Sequence, residues 1–172
     1  METASQELDA QAIIMTSPPG FAELYESHYT AVFRAALRVT GNAADAEDVL
    51  QTVFLRVLNR GERLDPSQMP SAYFRRAAVN AAVDLLRRRM TRGELHFDEM
   101  AAHAAVESPA LLKERLRRAI STLEEHDAVL FLLRYVEGLS NGELAEMFGQ
   151  EKNHVSVRLY RIRQMLQAEM ER

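Results

Sequence analysis

A chain of 172 residues with 47% hydrophobic and 27% charged side chains is long enough for one sizeable core or two small ones, and its seven glycines and five prolines suit helices. The absence of cysteine excludes a disulfide frame, a thiolate nucleophile and a cysteine-based zinc site, and no apolar run approaches the length of a bilayer span. The formal net charge of -4 is uneven: residues 1–20 hold three acids and no Lys or Arg, residues 91–112 hold four acids and one Arg, residues 21–90 are net positive and residues 113–172 are balanced. Charge alone therefore does not supply tight nucleic-acid binding, and a larger partner is expected.

Residues 1–20 end in SPPG and form a leader with no signal-peptide pattern, so a cytoplasmic chain without membrane insertion is expected. From Phe21, apolar residues at helical steps (Leu24, Tyr25, His28, Val32, Ala36, Val39) predict a first helix that stops at Gly41. Asn42 caps a second, with Val49, Leu50, Val53, Phe54, Val57 and Leu58 as its buried stripe. Asp45, Glu47 and Asp48 load its first turns, which suits the positive end of the helix dipole without any functional role. After a loop, Asn59 to Met69, a third helix runs from about Pro70 to Arg89. Arg76, Asn80, Asp84 and Arg87 fall on one line of it. A solvated face explains the charges there but explains less well a mid-helix Asn80, a modest helix former. Residues 91–109 lack a steady apolar period and read as a linker.

In the last third, Ser140 with Glu143 three positions on reads as a capping box opening a short helix. Leu144, Ala145, Met147 and Phe148 give that helix an apolar face, and Gly149 ends it. Asn153 then reads as a second cap. Val155, Leu159, Ile162 and Leu166 form the buried stripe of the following helix, with His154, Arg158 and Arg161 on the opposite side, Val157 beside them and Lys152 just ahead. A basic stripe alone is satisfied by solvation. Cap, turn and small-residue spacing occurring together predict a helix-turn-helix that reads DNA through Lys152, Asn153, His154, Val157, Arg158 and Arg161. The five histidines (His28, His96, His103, His126 and His154) show no metal-ligand spacing, and no Ser, His and acid set converges. No catalytic residue, metal or cofactor is expected, and the chain does not read as an enzyme.

The segments GNAADAEDVLQTVFLRVL, SAYFRRAAVNAAVDLLRRR and VLFLLRYVEGLSNGELAEMFG, in this order, closely resemble the extracytoplasmic-function (ECF) class of bacterial sigma factors from Phe21 to Met170. The resemblance implies an all-α protein of two small helical domains. Residues 21–90 would bind core polymerase and the minus-ten element, residues 91–109 would thread the polymerase cleft, and residues 110–172 would bind the minus-thirty-five element. It further implies polymerase docking through Asp45, Glu47, Asp48, Gln51 and Phe54, and capture of the melted minus-ten strand by Arg60, Arg63, Arg75, Arg76, Asn80 and Arg87. Implied partners are RNA polymerase core, promoter DNA and an anti-sigma factor. The chain departs from the family pattern at Tyr73, where a larger aromatic is usual, and at Glu124, where Pro is usual. Further departures are Asp127, where a basic residue is common, Gln150, where an aliphatic is usual, and His154, where a small hydroxyl is common. A second reading keeps the fold but makes it a sigma-like module that binds a regulatory partner without promoter activity.

Overall fold

The structure is a computed structural model that describes residues 20–59, 69–93 and 108–171. Seven helices make up these residues, with no strand among them: α1 (Phe21–Thr40), α2 (Ala43–Leu58), α3 (Ser71–Thr91), α4 (Pro109–Thr122), α5 (Glu125–Tyr135), α6 (Asn141–Phe148) and α7 (Lys152–Met170). The expected leader except Gly20, the Asn59 to Met69 loop except its ends, and the linker except its ends lie outside the described residues.

Local chemistry sets the ends of these helices. Gly41 stops α1 in the left-handed region at φ 70°, its N–H bonded to the Leu37 carbonyl, and Asn42 accepts from the Asp45 N–H to start α2. Pro70 precedes α3, and Ser108 accepts from the Leu111 N–H with Pro109 in the first turn of α4. The capping box at Ser140 forms in both directions, and Gly149 closes α6 at φ 61°. One boundary differs from the sequence reading. Helix α7 begins at Lys152 after Glu151, with no side-chain cap, so Asn153 sits inside the first turn instead of capping it. The orphan N–H groups there face solvent, which satisfies them without a cap.

Helices α1, α2 and α3 pack mutually around Phe21, Leu24, Val49, Val53, Phe54 and Phe74. In the C-terminal half, Ile120, Leu130, Leu133, Leu144, Val155 and Ile162 are buried, and the whole predicted stripe of α7 is the part of that helix that leaves solvent. The halves do not stand apart. Helix α3 packs against both α4 and α5, so the apolar interior is continuous through the molecule.

Candidate polymerase and nucleic-acid interfaces

The acids of α2 divide by orientation. Asp45 is 2% exposed and is paired with Arg89 from the end of α3, while Phe54 is 4% exposed, edge-on to Phe21 with ring centroids 6.0 Å apart. These two hold α2 onto its neighbours. Glu47, Asp48 and Gln51 are exposed and form the part of the predicted set that a partner can reach directly.

On α3, Arg75, Arg76, Asn80 and Arg87 are half-buried, whereas Arg60 and Arg63 lie outside the described residues. The Arg76 guanidinium lies 4.3 Å from the centre of the Phe148 ring and donates to the Met147 carbonyl at 2.9 Å; both residues belong to the end of α6. Asn80 lines a cleft between the halves with Glu124, Glu125 and His126. Arg87 pairs with Glu125 at 3.7 Å, and Asp84 on the same line pairs with Arg56 at 3.5 Å. Tyr73 packs edge-on to Phe74 with centroids 5.3 Å apart, so the smaller aromatic still anchors the start of α3.

The helix-turn-helix is braced from within. Arg134 Nε donates to Asn141 Oδ1 at 3.1 Å, Asn141 Nδ2 donates to the Ser156 hydroxyl oxygen at 2.8 Å, and that hydroxyl donates to the Lys152 carbonyl at 2.9 Å. The chain tying α5, α6 and α7 together was missed in the sequence because each member is an ordinary surface residue by pattern. The Glu143 carboxyl is held below its ordinary value of 4.5, first by the Ser140 N–H and then by the Ser140 hydroxyl, both bonding to its charged form. Lys152, Asn153, His154, Val157 and Arg161 are all exposed on α7. Arg158 is different: its Nε donates to Asp127 and its Nη2 donates to Glu124 at 3.3 Å. Two of the departures from the family pattern, Asp127 and Glu124, thus engage a predicted DNA-reading arginine.

Two histidines have lowered pKa values. His28 stacks on Phe74 with centroids 4.0 Å apart, and burial disfavours its charged form. Burial is also the main cause at His126, with Arg158 adding to it and Glu124 and Asp127 opposing. Among the described residues, no group of three or more His, Asp or Glu is arranged to hold a metal, and no helix is long and apolar enough to cross a membrane.

A three-helix unit followed by a four-helix unit that carries a capped helix-turn-helix is the architecture of a DNA-binding transcription protein. The Sigma-70 region 2 family matches residues 24–92 and the Sigma-70, region 4 family matches residues 113–166, so that each covers one of these units. The chain is 29% identical over 156 residues to the ECF RNA polymerase sigma factor SigE of Mycolicibacterium smegmatis, covering 86% of this chain and 60% of that relative. It is 22% identical over 165 residues to the ECF RNA polymerase sigma factor SigW of Bacillus subtilis, covering 87% and 88%. It is 27% identical over 161 residues to the RNA polymerase sigma-E factor of Streptomyces coelicolor, covering 87% and 85%. The chain belongs to the ECF class of sigma factors, which direct transcription initiation at promoters.

Proposed function

We propose that this sigma factor joins RNA polymerase core through the exposed residues Glu47, Asp48 and Gln51 of α2, with Asp45 and Phe54 holding that helix in place. It acts in the cytoplasm, takes no cofactor and carries out no chemistry of its own. Strand separation falls to Arg75, Arg76, Asn80 and Arg87 of α3, and to Arg60 and Arg63 of the preceding sequence. Cations hold the backbone, and the amide of Asn80 offers a donor and an acceptor to a base that has left the stack. The upstream element is read by α7 in the major groove, with Arg158 and Arg161 on a guanine edge or a flanking phosphate and Lys152, Asn153, His154 and Val157 around them. Residues 21–90 and 110–172 are then the working domains, joined by the linker 91–109.

The observation that carries the reading is the helix-turn-helix itself: both directions of its capping box, its left-handed Gly149 turn and its solvent-facing basic side are present together. An anti-sigma factor fits a chain whose two docking surfaces are both accessible to protein.

The test is transcription by purified chain with bacterial polymerase core, on promoters found by mapping transcript starts after overexpression. Transcript from those promoters, absent with core alone, is the expected result. Asn80→Ala should still form the closed complex but open the promoter poorly. A pre-melted template should restore little, because the lost hydrogen bonds matter only after the base leaves the stack. A chain that binds core and a regulatory protein yet starts transcription nowhere would establish the sigma-like module instead.

A further inference from the structure

The exposed side of α7 carries an apolar residue at its centre. Asn153, Val157 and Gln164 follow at steps of four and seven, which puts them opposite the stripe of Val155, Leu159, Ile162 and Leu166 that the helix buries. Val157 is 52% exposed and, among the described residues, packs on no part of the apolar interior. One turn on stand Tyr160 and Arg161, both exposed, and the Tyr160 ring has the Arg163 guanidinium 6.0 Å from its centre. A β-branched side chain at such a position gains nothing in helix propensity, which Ala, Lys or Arg would serve better. Single exposed apolar side chains are ordinary on protein surfaces, but this one occupies the middle of the row that a major groove would meet.

We infer, resting on the groove-docked role proposed for α7, that Val157 reads the 5-methyl group of a thymine in the upstream element. Base edges in the major groove carry hydrogen-bond donors and acceptors, which suit side chains such as Asn153 and Arg161, and one apolar group, the thymine methyl. Val157 has no polar atom beyond its backbone, so that methyl is the one base feature it complements. Its own two methyl groups lose water against the thymine on docking. A cytosine in the same place presents an amino donor, which Val157 cannot accept. A helical turn rises about 5.4 Å and a DNA base pair about 3.4 Å, so the thymine lies about one or two base pairs from the pair that Arg161 contacts.

The test uses a promoter found by transcript-start mapping, with each thymine of its upstream element replaced singly by deoxyuridine, which differs only by that methyl. Affinity of the holoenzyme for these duplexes is read by gel shift, with the parent chain and with Val157→Ala. At one thymine the parent should lose about fourfold in affinity when the methyl is removed, the worth of one buried methyl group. Val157→Ala should bind the thymine duplex about as weakly as the parent binds the deoxyuridine one, and should lose nothing further on deoxyuridine. Val157 is exposed and Ala is the better helix former, so the variant keeps its fold, which circular dichroism and thermal melting verify. Three results would overturn the contact: a protected upstream stretch made of G·C pairs alone, a parent chain indifferent to every deoxyuridine, or a methyl preference that survives in Val157→Ala. The groove-docked role of α7 fails on a different signal. If the holoenzyme starts transcription equally well without the upstream element, that role and the methyl contact fall together; if the element is needed but its methyl groups are not, only the contact falls.

Discussion

Arg158 and Arg161 lie one turn apart on α7, and their surroundings set them unequal tasks. Arg161 is exposed with no ion pair among the described residues, whereas Arg158 must leave Asp127 and Glu124 before it can meet DNA. Arg161→Ala should therefore weaken use of the upstream element by about 1 to 3 kcal/mol, in footprinting and abortive initiation on templates with and without that element. Arg158→Ala should cost less, and Asp127→Ala should strengthen upstream-element use by releasing the guanidinium. Equal footprints for all three would remove these side chains from DNA reading. The acids of α2 divide in the same way. Asp48 is exposed, so Asp48→Arg should change folding stability by no more than about 0.5 kcal/mol yet abolish co-elution with polymerase core. Asp45 is buried against Arg89, and Asp45→Ala should cost about 1 to 2 kcal/mol in urea unfolding. That is less than for a fully buried pair, because the arginine side chain is 36% exposed and returns to water.

At the scale of a helix, the two ends of α6 are the weak points of the motif. Ser140→Ala removes the hydroxyl that accepts from the Glu143 N–H, and should cost about 1 kcal/mol with loss of the α6 to α7 geometry. Glu143 answers for the other half of the box. Its folded pKa lies below 4.5, so its stabilisation is fully present above that value and is lost as pH falls through the lowered one. Protection of the α6 amides, taken relative to the intrinsic exchange rate at each pH, should fall on acidification in the parent chain and show a flatter response in Glu143→Gln. A glycine at the other end tests backbone strain alone. A Cβ on Gly149 meets nothing within 4 Å, so Gly149→Ala should cost about 1 kcal/mol through its positive φ. The same change at Gly41 adds the overlap with Arg117 and should melt lower than Gly149→Ala, which a thermal scan of the two variants resolves.

Across the whole molecule, acid should loosen the fold through its two shielded imidazoles. Burial lowers both His28 and His126 below the ordinary 6.5; at His126, Arg158 and Arg76 push the same way while Glu124 and Asp127 oppose. An unfolded chain takes up protons at 6.5 and the folded one only at lower pH. Folding stability is therefore full above 6.5 and falls as pH drops from there towards the lowered values. The melting temperature should decline between about pH 7.5 and about pH 5.5, and His28→Gln with His126→Gln should flatten that decline. A decline of the same steepness in the double variant would show that neither imidazole governs it.

Local signals made most helix ends readable in advance. A left-handed Gly, an Asn or Ser cap and a 3.6-residue apolar period act within a few residues, so α1, α2, α6 and the buried stripe of α7 follow from the order of side chains alone. The cap assigned to Asn153 failed because α7 starts one residue earlier, at Lys152, with Glu151 in the cap position and no side-chain cap. The resemblance to ECF sigma factors grouped Asp45, Glu47, Asp48, Gln51 and Phe54 as one docking set, although two face the core and three face solvent. Which acid turns inward depends on Arg89, 44 positions away. Tertiary structure alone decided that Arg38 meets Glu137 across 99 positions, that Arg117 fills the gap at Gly41, and that Asp127 holds Arg158. Such pairs arise when separate amphipathic helices bury their faces together, and because no backbone repeat connects the partners, they leave no periodic trace along the chain.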